Sequence, residues 1–141
     1  MTRVDFYILE GHADNAELFA CRLVEKAFGQ GHRIYIHVGD AQAAERTDQL
    51  LWTFRAGSFV PHGRQGGEDD GTPVQIGFGG EPVGHDDVLV NLNAEVPPFF
   101  SRFQRVVELV SGDEENRRIA RERYRFYRDR GYELETHTIG G

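Results

Sequence analysis

A chain of 141 residues with 39% hydrophobic, 11% aromatic and 28% charged residues suits one compact domain over 1–141 and is too apolar for a disordered segment. Its formal net charge of -7 argues against whole-surface attraction to nucleic acid or anionic lipid. No run of about 20 apolar residues occurs, residues 1–11 are interrupted by Arg3, Asp5 and Glu10, and Cys21 is the single cysteine. The expectation is a cytoplasmic protein in a reducing compartment, with no membrane span, secretory signal, disulfide or thiolate zinc site.

Residues 4–9 (VDFYIL) are a short apolar, aromatic and β-branched run ahead of a turn at Glu10, Gly11 and His12, which predicts a strand. Asp14 with Glu17 three residues on resembles a capping box. Leu18, Cys21, Leu23, Val24, Ala27 and Phe28 then recur at helical spacing until Gly29 and Gly31, predicting a helix with Cys21 as a small buried thiol. Residues 33–38 (RIYIHV) are a second β-rich run, and Asp40 is placed to cap a helix over 41–52. Strands and helices in alternation imply a parallel sheet with helices packed on it.

Residues 57–73 hold Gly57, Gly63, Gly66, Gly67 and Gly71 with two prolines, the composition of a long loop. Residues 73–78 (PVQIGF) and 87–92 (DVLVNL) read as two strands separated by a Gly-rich turn, the second continuously apolar as a central parallel strand is. Pro97 and Pro98 start a short helical turn with Phe99, Phe100 and Phe103, and 105–110 (RVVELV) is the last clear strand. Ser111 with Glu114 is a second capping-box pattern, opening a helix that Gly131 stops.

Neither of the phosphate-cradling patterns G-x-x-x-x-G-K-[ST] and G-x-G-x-x-G is present, and Gly77, Gly79 and Gly80 read as a turn between strands. Six histidines raise the question of a metal, with His85-Asp86-Asp87 the densest local group. No His-x-x-x-His or His-Glu-x-x-His helix accompanies it, so neither metal nor cofactor is expected, and Asp86 and Asp87 read as solvated residues leading into a strand.

The C-terminal helix carries more information. Residues 116–130 hold seven arginines against Glu122 and Asp129, a local charge of +5, which leaves -12 on the other 126 residues. At about 100° per residue, Arg117, Arg121, Tyr124, Arg125 and Arg128 share one face. Ile119, Ala120, Phe126 and Tyr127 lie opposite with Arg123 and Arg130. One reading is a solvated face whose charges suit the helix dipole, with Asp113, Glu114 and Glu115 at the start and arginines toward the end. The other is an anion receptor, since guanidinium forks bind carboxylate or phosphate bidentately and Tyr124 supplies an apolar wall. An acidic peptide end fits within a Debye length of about 8 Å, whereas a nucleic-acid footprint would run onto the surrounding acidic surface, so the peptide is favoured. Arg123, on the inner side, calls for an acidic partner. Elsewhere Trp52, Phe54 and Phe59 run off a helix into a loop, either sealing the core or anchoring a partner.

Four stretches then act together: Phe6-Tyr7-Ile8-Leu9; Leu51-Trp52 with Ser58-Phe59-Val60-Pro61-His62; Pro73-Val74-Gln75-Ile76; and Ala120-Arg121-Glu122-Arg123-Tyr124-Arg125 with Tyr127, Arg128 and Gly131. In order, and over nearly the whole chain, they resemble the chi-subunit family of the bacterial DNA polymerase III holoenzyme. The resemblance implies an α/β fold, a single-domain Rossmann-like three-layer sandwich with a mostly parallel sheet and no nucleotide chemistry. It implies a non-enzymatic replication adaptor, located at the replisome, with two partners and no cofactor. Val110, Arg117, Arg121, Tyr124, Arg125 and Arg128 would take the acidic C-terminal tail of single-stranded-DNA-binding protein, whose last residue is a phenylalanine bearing the terminal carboxylate. Trp52, Phe59, Pro61 and His62 would take the psi subunit of the clamp loader. DNA would be contacted only indirectly. Arginine stands at some positions where the family often has lysine, which keeps the charge and adds bidentate capacity, and residues 136–141 match nothing in the family pattern. Two other readings compete: direct nucleic-acid binding by the arginine helix, and metal-assisted hydrolysis around His62, His85 and Asp87.

Overall fold

The computed structural model describes residues 1–66 and 71–140. Seven strands, β1 (Arg3–Leu9), β2 (Ile34–His37), β3 (His62–Arg64), β4 (Val74–Gly77), β5 (Val88–Asn91), β6 (Arg105–Val110) and β7 (Glu133–Ile139), form one sheet in the order β3-β4-β2-β5-β6-β1-β7. Every pairing is parallel, so the sheet expected to be mostly parallel is wholly so. Helices α1 (Ala16–Gly29) and α2 (Ala41–Thr53) cover one face and α3 (Glu114–Asp129) the other, giving the α/β three-layer sandwich.

Alternation along the strands produces two cores, because successive side chains point to opposite faces. Ile34, Ile36, Val88, Val90, Val107 and Leu109 pack against Ala20, Cys21 and Val24 of α1 and Leu51 of α2. Tyr35, Leu89, Val106 and Val110 face the other way, onto Ala120 and Tyr127 of α3 and the aromatic turn of Phe99, Phe100 and Phe103. Burial on both faces is why β5 reads as a continuous apolar run. Cys21 is buried as expected, and burial pushes its thiol up to about 12.

Two cap assignments are corrected. The α1 N-cap is Asn15, whose side chain accepts from the Leu18 amide at 3.1 Å. Asp14, the expected cap, instead accepts from the Gly112 amide at 2.8 Å and ties the start of α1 to the loop after β6. The α3 cap is Asp113 rather than Ser111, accepting from the Asn116 amide at 3.0 Å. Several Asx and Ser residues stood near each start, and tertiary contacts chose among them. Asp40 caps α2 as expected, and Gly131, at φ 79°, follows the end of α3 in the left-handed region.

Two strands lie outside the expectations, one at each edge of the sheet. Strand β3 breaks the loop expected over 57–73, of which residues 67–70 lie outside the described residues. Strand β7, to which no element was assigned from the sequence, runs into the residues after 135 that match nothing in the family pattern, and β6 is therefore not the last strand. Only β1 pairs with β7, and Glu133, Glu135, Thr136 and Thr138 of β7 are exposed. Edge strands are kept polar because open backbone groups invite unwanted pairing, so β7 lacks the apolar signature of a strand. Since β6 and β7 flank β1, the α3 crossover straddles β1, and this placement builds the groove described next.

Candidate functional site: a groove between one helix and the sheet edge

Phe6 and Ile8, two residues apart on β1, point to the α3 face and form the floor of a groove of about 280 Å³. Val110 at the end of β6 and Thr136 on β7 bound it, and Arg117, Ala120, Arg121 and Tyr124, at helical spacing on α3, form its wall. The Tyr124 ring stands edge-on to Phe6 at 5.3 Å between centroids. The groove is thus apolar at its base with guanidinium groups at its rim. Such a shape can admit one hydrophobic ring while offering charge-assisted hydrogen bonds to an anion beside it.

The arginines on this face are not equivalent. Arg117 donates from Nη2 to the Leu9 carbonyl at 3.0 Å, so one arm is held at the end of β1. Arg121 Nη2 lies 2.9 Å from Glu114 Oε1, with the two side chains 54% and 80% exposed. Arg128 pairs with its neighbour Asp129 at 3.1 Å. Among the described residues Arg125 has no hydrogen-bonded or ion-paired partner, and it is exposed. Of the six residues expected to form the tail site, Val110, Arg117, Arg121 and Tyr124 line the groove, while Arg125 and Arg128 lie further along the helix face and do not. Phe6, Ile8, Ala120 and Thr136 were not anticipated. Alternation on β1 would have paired Phe6 with Ile8, but nothing local sets them under α3.

The opposite side of α3 is anchored by a buried ionic cluster. Glu108 on β6 is fully buried and accepts from Arg123 Nε at 2.9 Å, Tyr127 Oη at 2.7 Å and Asn91 Nδ2 at 3.0 Å. Arg123 also donates from Nη1 to the Ala94 carbonyl at 3.0 Å. Burial pushes the Glu108 carboxyl up, opposed by the Arg123 guanidinium and the donated hydrogen bonds, and the same burial pushes the Tyr127 phenol up. Glu108 is the acid that Arg123 called for. A burial-tolerant, fully partnered pair of this kind fixes how α3 sits on the sheet, and with it the geometry of the groove.

The second expected surface lies across the molecule, at the end of α2. Trp52 and Phe59 are 47% and 68% exposed with ring centroids 5.9 Å apart, so they do not seal the core. Pro61 is half-buried, and His62 is buried beneath Trp52 with 4.3 Å between ring centroids. His62 donates from Nδ1 to the Val60 carbonyl at 2.7 Å, and its Nε2 lies 2.8 Å from Asp48 Oδ1. His62 therefore supports Trp52 from below instead of presenting itself at the surface.

His85, Asp86 and Asp87 do not converge. His85 Nε2 faces the Pro73 carbonyl at 3.2 Å. Asp87, expected to be solvated, is half-buried and accepts from His32 Nδ1 and the Arg33 amide, both at 3.0 Å. Among the described residues the one grouping with metal-ligand spacing is Asp5, Glu135 and His137, unforeseen because it needs β7. Arg3 pairs with both of its carboxylates and Arg105 pairs with Asp5 at 3.2 Å, so guanidinium groups already hold the cationic place there.

Residues 1–135 match the family described as DNA polymerase III chi subunit, HolC. The chain belongs to this family. It is 44% identical to the DNA polymerase III subunit chi of Pseudomonas aeruginosa over 99% of its own length and 98% of that protein. It is 32% identical to the Escherichia coli subunit of the same name, over 98% and 99% of the two chains, and 32% identical to that of Haemophilus influenzae, over 96% of each. The solved structure of T4 UvsW superposes with a TM-score of 0.70 at 8% identity, over 99% of this chain and 42% of that one, a likeness of fold alone. Membership of the chi family makes the chain an accessory subunit of replication. No helix among the described residues is long and apolar enough to cross a membrane.

Proposed function

We propose that the chain is a non-enzymatic adaptor of the replisome in the cytoplasm, joining the DNA polymerase III clamp loader, through psi, to the acidic C-terminal tail of single-stranded-DNA-binding protein. The observation that carries the tail assignment is the groove of Phe6, Ile8, Val110 and Tyr124 rimmed by Arg117 and Arg121. It has room for a terminal phenyl ring at its base and two guanidinium groups for the carboxylate that the same residue bears. Arg125 and Arg128 extend the positive face beyond the groove and add screened attraction to acidic residues upstream in the tail. In this reading Trp52 and Phe59, with Pro61 alongside and His62 in support, take psi, because exposed paired aromatics supply the anchors on which interfaces depend. DNA is reached only through these partners.

The test is calorimetric titration with a peptide ending in Asp-Asp-Asp-Ile-Pro-Phe, as the free acid and as the amide. The free acid is expected to bind and the amide to bind much more weakly. Raising salt from about 50 to 200 mM should weaken the peptide moderately, whereas a nucleic-acid groove with six or more phosphate contacts loses about a thousandfold or more. Equal binding of acid and amide, together with tight oligonucleotide binding of steep salt dependence, would replace this reading with direct nucleic-acid recognition.

A further inference from the structure

We infer that Glu114 is an internal competitor for the groove, a carboxylate of the chain itself that a ligand's terminal carboxylate must displace from Arg121. This rests on the tail-binding reading above and concerns what sets the selectivity of that site. Arg121 is the groove arginine whose guanidinium already holds an acid, through one contact of 2.9 Å from Nη2 to Glu114 Oε1. Glu114 approaches from the first turn of α3, seven residues earlier, where it also suits the helix dipole.

The contact is built to be exchanged. Glu114 is 80% exposed and engages a single nitrogen, and an exposed pair of that kind is weak because water and salt screen it. A carboxylate delivered by a ligand whose ring sits on Phe6 and Ile8 can take both arms of the guanidinium fork in a less hydrated place. A stray anion or a solvent-exposed acidic side chain has no ring to hold it there and faces Glu114 on equal terms. Glu114 thereby raises the threshold for binding and rejects ligands that carry charge without the terminal aromatic residue.

Glu115 provides the control. It lies in the same first turn and carries the same charge, but it pairs with Arg118 at 2.6 Å, on the other side of the helix from the groove. Glu114→Gln and Glu115→Gln therefore alter net charge and helix dipole equally and differ in which arginine they release, Arg121 in the groove or Arg118 outside it. Both variants and the wild type are titrated with the free-acid and amidated forms of the peptide above.

The expected result is that Glu114→Gln tightens the free acid by about two- to fivefold, the range of an exposed ion pair. It should leave the amide, which has no terminal carboxylate to place on Arg121, near its wild-type affinity, and Glu115→Gln should change neither. The gain should disappear when Glu114→Gln is combined with Arg121→Ala. Equal tightening of acid and amide, an equal response to Glu115→Gln, or no tightening at all overturns the inference while leaving the tail site standing. Failure of the wild type to distinguish acid from amide overturns the tail reading, and this inference with it.

Discussion

Arg121 and Arg123 stand two residues apart on α3 and do opposite work. Arg123 is 8% exposed and locked to the fully buried Glu108, with Ala94 and Tyr127 completing the cluster. Arg121 is half in water, held by one contact to an exposed acid. Both are guanidinium–carboxylate pairs at 2.9 Å. Distance alone therefore says nothing of what a pair is for. The surroundings decide, because two charges removed from water must remain together, whereas two charges in water part at small cost.

The strongest way to break this contrast is Arg123→Met. It leaves Glu108 buried without its cation, and loss of about 3 to 5 kcal/mol is expected in chemical denaturation. Adding Glu108→Gln to it should recover part of the loss, since a neutral amide oxygen still accepts from Tyr127 and no bare charge is left. If the double variant is no more stable than Arg123→Met, the buried charge was not the cause.

The same variant carries a pH signature. Burial already raises the folded Glu108 carboxyl above its unfolded value, and without Arg123 the rise is larger. The folded state then keeps a proton that the unfolded chain releases, so stability falls as pH rises from the ordinary carboxyl range to the folded value. The penalty of Arg123→Met should accordingly be smaller near about pH 5 than near about pH 8. A penalty independent of pH would mean that packing, not charge, dominates the site.

Arg121→Ala should do the reverse. Stability should stay within about 0.5 kcal/mol of the wild type, as at most surface positions. Peptide affinity should fall by about 1.5 to 3 kcal/mol, the range of a hydrogen bond to a charged group, read by calorimetry. Trp52→Ala extends the comparison to the second surface: about 2 kcal/mol or more lost against psi, with peptide binding and folding intact. Unfolding of that variant would show that Trp52 serves the fold, through its cover over His62, and not a partner. The smallest effect is expected for Arg128→Ala, which lies outside the groove and pairs with Asp129. A loss under about 1 kcal/mol, vanishing at high salt, would fit screened attraction alone.

What residues 1–141 determined by themselves was the local pattern. Apolar runs at 33–38, 87–92 and 105–110, a helix between the capping residues after 110 and Gly131, and Asp40 before α2 each depend on neighbours within a few positions, and each became the expected element. The clustering of arginines with Tyr124 on one helical face was equally legible, as was the burial of Arg123. Tertiary structure decided what long-range contact controls. Glu108 became the partner of Arg123 because β6 lies beneath α3, fifteen residues away in sequence. Arg125 and Arg128 share the face of Arg121 but not its groove, because the sheet beneath supplies a floor only at Phe6 and Ile8. β7 was hidden because an edge strand needs one neighbour and no apolar face of its own, so its strand character comes from pairing with β1 across more than 120 residues.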